Sequence, residues 1–255
     1  VPKFGDVPTL SILHTNDMHG TLDAPRLKIL TEWRSQCDLY FDTGDAIKTG
    51  NLGIPLRQEP AWDMLGQLRC DAAVLGNRET HPLASAFEAK LAGVKHPLLC
   101  ANLRKKDGTR PLPGHLILQS HGVKVGIVAV MVPMVTERMK TQLASAYLWD
   151  PAVETALKEA ETLAPQVDLL FALTHIGYRQ DLELAKTGAF AVIFGGHSHT
   201  VLQEPELVEK TWIAQGGSHS RFAGLYQWDI EREILTGTLH ELKRNPGTGG
   251  YTHRG

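Results

Sequence analysis

The chain has 255 residues, 42% of them hydrophobic and 21% charged, with a formal net charge of -2. That length is enough to bury a full core, and the ordinary composition excludes a disordered, collagen-like or coiled-coil chain. A near-neutral balance carries no basic footprint for a nucleic-acid polymer or an anionic membrane, and the longest apolar run, residues 125–132, is too short to cross a bilayer.

The predicted elements alternate between strand and helix. Residues 10–14 form a short apolar strand that runs into Thr15, Asn16, Asp17, Met18 and His19. Residues 24–36 place Leu27, Leu30 and Trp33 at helical spacing. A strand at 39–41 stops at Asp42, Thr43, Gly44 and Asp45; a helix at 60–69 starts on Pro60; a strand at 72–75 stops at Gly76 and Asn77. A helix at 82–91 and a strand at 98–101 follow. Strands at 116–120 and 124–131 are joined across His121 and Gly122 as a hairpin. A helix at 151–163 leads to a strand at 167–174 that ends at His175, and a strand at 191–194 ends at Gly195, Gly196 and His197. Strands at 211–214, 225–230 and 235–242 close the pattern. Residues 1–244 then read as a single domain and 245–255, with four glycines, as a flexible tail. The order is α/β, with mixed sheets and helices outside them.

Five of these strands end in side chains that can hold a metal or a phosphate. They are Asp17 with His19, Asp45, Asn77, His175, and His197 with His199. Ligands of open α/β sheets bind at the carboxyl ends of strands, so five such ends can converge on one point. In extended chain, residues i and i+2 face the same way, which pairs Asp17 with His19 and His197 with His199. Glycines before Asp45, Asn77 and His197 permit tight turns and close backbone approach. Imidazole, carboxylate and amide oxygen without sulfur suit manganese, iron, nickel or zinc rather than calcium. Seven residues are too many for one ion; two divalent ions sharing Asp45 fit better. Each residue alone has an ordinary reading: Asp17 as a helix cap, Asp45 and Asn77 as turn residues, His175 as a structural histidine. Their conjunction at five strand ends argues for the metal. His96, His115, His121, His240 and His253 fit no such pattern and read as surface or loop residues. The three cysteines, Cys37, Cys70 and Cys100, are too far apart for a thiolate site and read as reduced thiols. Together with the lack of a leader-like start, they favour the cytoplasm, or the periplasm or exterior if a signal peptide has been removed.

The stretch Ile12, Leu13, His14, Thr15, Asn16, Asp17, Met18, His19, Gly20 resembles the first signature of the calcineurin-like metallophosphoesterases, in their 5'-nucleotidase branch. Gly44-Asp45, Gly76-Asn77, Thr174-His175 and Gly196-His197-Ser198-His199 follow in the family's order, and Ala101-Asn102-Leu103 and Gln215-Gly216-Gly217-Ser218 are also similar. The resemblance implies a four-layer αββα sandwich. It implies one ion on Asp17, His19, Asp45 and His199, and a second on Asp45, Asn77, His175 and His197, manganese being favoured. It also implies attack of metal-bound hydroxide on the phosphorus of a small phosphorylated substrate, a nucleotide being one example.

Two features depart from that pattern. The family usually carries His after the motif Asn, with an Asp partner three residues on; here Arg78 and His81 stand in those places. Arginine stays protonated and cannot act as a general acid, but it can bind phosphate bidentately, so Asn77 and Arg78 are the expected substrate contacts. His81 becomes the candidate for proton transfer, with a structural histidine at a helix start as the alternative. By the same resemblance, the 255 residues are expected to hold the catalytic part without the domain that grips the nucleoside in typical 5'-nucleotidases. A phosphoester hydrolase is the leading reading. A weakly active or non-catalytic metal-binding module, or a phosphodiesterase or sulfur-ester hydrolase on the same fold, are the alternatives.

Overall fold

The computed structural model describes residues 9–243. The Gly-rich stretch 245–255 and His253 lie outside the described residues. In chain order the elements are β1 (Thr9–Thr15), α1 (Ala24–Arg34), β2 (Leu39–Asp42), α2 (Pro60–Gln67), β3 (Ala72–Val74), α3 (Ala84–Leu91), β4 (Leu98–Leu99), β5 (Leu103–Lys105), β6 (His115–Ser120) and β7 (Val123–Met131). They continue with β8 (Tyr147–Trp149), α4 (Ala152–Leu163), β9 (Leu169–His175), α5 (Tyr178–Ala185), β10 (Val192–Phe194), β11 (Glu206–Val208), β12 (Thr211–Ala214), β13 (Phe222–Asp229) and β14 (Ile234–Glu241).

One six-stranded sheet has the order β14-β13-β1-β2-β3-β4, and the other β11-β12-β10-β9-β7-β6. β1 to β4 run parallel, as do β7, β9, β10 and β12, so their carboxyl ends share one edge of each sheet. Period-two alternation explains the layers. On β9, Leu169, Phe171 and Leu173 face the space between the sheets, while Leu170 and Ala172 face α4 and α5. On β2, Leu39 and Phe41 face inward and Tyr40 faces the helices α1 to α3. Phe41, Phe171, Phe194 and Trp228 form a connected set of aromatic contacts in the central layer. Three cores thus separate four layers, helices, sheet, sheet and helices, as expected.

The hairpin expected at His121 and Gly122 forms with Ser120 opposite Val123. Both loop residues have positive φ, 50° and 81°, as a two-residue type I′ turn requires. The helix α5 and the short pair β5-β8 carry no clear sequence signal: α5 follows Gly177 without a side-chain cap, and β5 and β8 have three residues each. His96 corrects one expectation. It is buried, 8% exposed, beneath Trp62, and burial pushes its imidazole down to about 4. His115 and His121 do pair on the outside, with Glu159 and Asp38, and His240 is exposed. All three cysteines are free thiols. Among the described residues no helix is long and apolar enough to cross a membrane.

Candidate metal centre

The loop after β1 lies along the loop after β2: the Asp17, His19 and Gly20 amides donate to the carbonyls of Gly44, Asp45 and Ala46 at 2.8–2.9 Å. Asp17 and Asp45 are thereby fixed at adjacent strand ends. A Cβ on Gly76 would lie 2.2 Å from the Asp45 amide nitrogen, and one on Gly44 would lie 2.8 Å from the Gly76 nitrogen. Only glycine allows the β2 and β3 loops to approach this closely.

All seven strand-end residues come together, in two clusters. In the first, Asp17 Oδ1 is 3.5 Å from His19 Nε2 and 3.3 Å from His199 Nε2, the two imidazole nitrogens are 3.1 Å apart, and Asp45 Oδ2 lies 3.9 Å from His19 Nε2. In the second, Asn77 Oδ1 is 3.0 Å from His175 Nε2 and 2.9 Å from His197 Nδ1, and Asp45 Oδ1 is 3.5 Å from His175 Nε2. Asp45 gives one oxygen to each cluster.

Hydrogen bonds outside the clusters aim the free lone pairs inward. Asp17 Oδ2 accepts from Asn16 Nδ2 at 2.8 Å and from the His197 amide at 2.9 Å. Its Oδ1 is buried and has no hydrogen-bond partner. His175 Nδ1–H donates to the Thr43 carbonyl at 2.7 Å, which leaves Nε2 as a bare lone pair facing the Asp45 and Asn77 oxygens. Convergent oxygen and nitrogen lone pairs repel one another unless a proton or a cation sits between them. This donor set, nitrogen and oxygen without sulfur, fits a divalent transition metal.

The electrostatics carry the same signature. Burial opposes ionisation of Asp17, yet its contacts with His19 and His199 and the nearby His175 hold its carboxyl well below the usual range. Burial also opposes protonation of His175, but Asp45 and Asp17 outweigh it and push the imidazole up. His199 is raised mainly by its contact with Asp17, and His197 is lowered by burial and by His175. Five of the seven residues have left-handed backbone: Asp17 at φ 48°, His19 at 52°, Asp45 at 54°, His197 at 76° and His199 at 55°. Such conformations cost roughly 1–3 kcal/mol each and persist where the surroundings over-determine them.

Arg78 borders the second cluster. Its amide donates to Asp45 Oδ1 at 2.7 Å, its Nη1 donates to the Lys48 carbonyl at 2.9 Å, and its Nε is 3.9 Å from Asp45 Oδ2. The guanidinium is partly exposed and keeps donors free for an anion. His81 is 6% exposed, and its Nδ1 accepts from the Leu83 amide at 3.0 Å, at the entry to α3. Among the described residues no hydrogen bond joins it to the seven.

Sequence reasoning missed His219. Its ring stacks on His19 at 4.6 Å and 11° and meets His199 edge-on at 5.8 Å, and its amide donates to the Asp17 carbonyl at 2.7 Å. It too is left-handed, at φ 59°. The available signal was its place directly after Gln215-Gly216-Gly217-Ser218, at the end of a further strand, β12. Glu79 was also missed. It is 1% exposed and accepts from the amides of Asp45, Gly76 and Ile47, so it builds the turn that carries the shared carboxylate.

Residues 10–201 match the family described as calcineurin-like phosphoesterase. The chain belongs to that family. The chain is 27% identical over 270 residues to the trifunctional nucleotide phosphoesterase protein YfkN of Bacillus subtilis, covering 84% of this chain and 18% of that protein. It is 27% identical over 290 residues to the 5'-nucleotidase of Vibrio vulnificus, covering 91% of this chain and 51% of the relative. The crystal structure of the calcineurin-like phosphoesterase YfkN from Bacillus subtilis superposes with a TM-score of 0.72 at 20% identity, covering 92% of this chain and 91% of that one. The fold is thus shared, and the chain spans about half the 5'-nucleotidase and under a fifth of full-length YfkN.

Proposed function

We propose that this chain hydrolyses small phosphate esters, nucleotides among them, with two divalent metal ions, manganese being favoured. One observation carries the reading: two clusters of convergent oxygen and nitrogen donor atoms meet at Asp45, which offers one oxygen to each. Asp17, His19, Asp45 and His199 would hold one ion, and Asp45, Asn77, His175 and His197 the other. When bound, such a pair supplies Lewis acidity toward phosphoryl oxygen and toward water. Names of the relatives that include nucleotide phosphoesterase and 5'-nucleotidase support a nucleotide as one substrate.

The protein's own groups do the rest. The Nδ1–H bond to Thr43 keeps His175 in the tautomer that presents Nε2. Arg78, anchored at Asp45 and Lys48, directs its remaining N–H donors at a phosphate oxygen and stabilises charge that develops there. It cannot protonate the leaving group. His81 is the candidate for that role; to act as the acid its ring would carry protons on both nitrogens and give up the bond that Nδ1 accepts from the Leu83 amide.

The test is a metal-supplemented screen of p-nitrophenyl phosphate, bis-p-nitrophenyl phosphate and nucleoside monophosphates, with elemental analysis of the protein. Turnover that needs about two ions per chain is expected. Bound metal without hydrolysis of any ester would leave a binding module instead.

A further inference from the structure

The segment 45–51 contains no helix or strand, yet three buried charged side chains hold its backbone. Glu79 accepts from the Asp45 and Ile47 amides at 2.9 and 3.2 Å. Glu59, 5% exposed, accepts from the Lys48 and Thr49 amides at 3.2 and 3.1 Å. Lys90, fully buried, donates from Nζ to the carbonyls of Gly50 and Asn51 at 2.8 and 2.9 Å.

Lys90 also reaches the other side. The same ammonium donates to the Arg78 carbonyl at 2.6 Å and the Thr80 carbonyl at 2.8 Å. Three N–H groups are thus shared among four carbonyl oxygens from two loops, a neutralising cage without a direct carboxylate contact. Burial pushes the ammonium down to about 8, opposed by the nearby Glu79, Asp45 and Glu59 and reinforced by Arg78, so at neutral pH the charged form persists. A core lysine needed only for packing would be replaceable by an apolar chain of equal volume. This one bridges the 50–51 and 78–80 backbones, and two cleft contacts depend on that bridge. Asn51 Oδ1 accepts from Asn77 Nδ2 at 3.0 Å, which turns the Asn77 oxygen toward His175 and His197. The Lys48 carbonyl accepts from Arg78 Nη1 at 2.9 Å, which sets the guanidinium.

We propose that Lys90 is a positioning residue: by tying the 50–51 strip to the 78–80 turn it orients the Asn77 carboxamide and the Arg78 guanidinium at the cleft. It makes no contact with substrate and donates nothing to the reaction. The metal readout below rests on the function proposed above; the spectroscopic readout does not.

The experiment compares wild type, Lys90→Met and Asn51→Ala. In a calorimetric Mn²⁺ titration of metal-free protein, both variants should bind one equivalent as wild type does and the other about 10–100-fold more weakly, the usual effect of removing a group that orients a ligand. In ¹⁵N NMR without metal, the Asn77 side-chain NH₂ signal, assigned with Asn77→Asp, should move toward the free-amide position in both. Phosphate-ester turnover should show raised KM as well as lowered kcat. A folded Lys90→Met protein with wild-type Mn²⁺ affinities and an unmoved Asn77 signal would reduce Lys90 to a packing residue. If Lys90→Met does not fold, Asn51→Ala decides, because Asn51 is exposed and its loss leaves the core intact: an unchanged second equivalent and an unmoved signal overturn the proposal. If wild type binds no Mn²⁺, the function fails, and the Asn77 signal alone judges Lys90.

Discussion

The floor and the wall of the cleft are built in opposite ways. The floor, Asp17, Asp45 and His175, is buried at the ends of parallel strands and fixed directly by the backbone: amides of His197 and Arg78 donate to the two carboxylates, and the His175 Nδ1–H donates to the Thr43 carbonyl. The wall, formed by segments 48–51 and 77–81, has no regular structure and is fixed from behind by Glu59 and Lys90. Strand ends therefore specify where an ion can sit, whereas a set of buried charges specifies what leans over it. The first should tolerate almost no substitution; the second should tune rate and preference.

Replacing the shared carboxylate gives the largest expected effect. Asp45→Ala should lower kcat by on the order of 10³-fold or more and abolish one or both bound ions, measured by turnover and elemental analysis. Retained activity would remove the bridge on which the floor depends. Next comes the wall. Arg78→Ala should lower kcat/KM about 10–100-fold, the range for a charge-assisted hydrogen bond worth about 1.5–3 kcal/mol. Arg78→His should shift the ratio of monoester to diester hydrolysis, and an unaltered ratio would exclude Arg78 from the reaction. His81→Asn sharpens the contrast further. The amide oxygen can still accept from the Leu83 N–H, so the melting temperature should hold while kcat falls for esters with poor leaving groups. An unchanged kcat would confine His81 to its turn.

The smallest effect is on stability. Asp181 is fully buried, accepts from the Thr174 hydroxyl at 2.6 Å, and burial pushes it up to about 7. Between about pH 4 and pH 7 the folded protein keeps a proton that the unfolded chain, with an ordinary value near 3.9, releases. Its contribution is present below about pH 4 and is lost as pH rises through 7. Asp181→Asn should therefore raise the melting temperature by at least about 3 °C at pH 8 and change it little near pH 4, as thermal melts at both pH values will show.

The same division explains what the sequence disclosed. Asp17, Asp45, Asn77, His175 and His197 each stand within three residues of the end of an apolar strand, a pattern visible in one dimension. Alternation marked the strands, and the family resemblance implied that two sheets face each other between helices. The wall had no such pattern. Lys90 sits near the end of α3, where a lysine ordinarily faces water, and Glu59 reads as a residue before a Pro-led helix. Their burial comes from contacts between segments far apart in the chain, which local spacing does not encode. His219 escaped for a related reason: its stacking on His19 joins the two ends of the chain.

The left-handed backbone at Asp17, His19, Asp45, His197 and His199 carries an evolutionary consequence. Glycine adopts that conformation with no steric penalty, whereas a histidine there is held against its preference. His199 is the most exposed of the five, so His199→Gly has the least packing to lose and the strain to gain back. Selection for heat resistance alone would thus erode the centre one residue at a time. Ancestors or engineered descendants of this chain that melt higher while binding a divalent metal less tightly would record that trade-off between durability and chemistry.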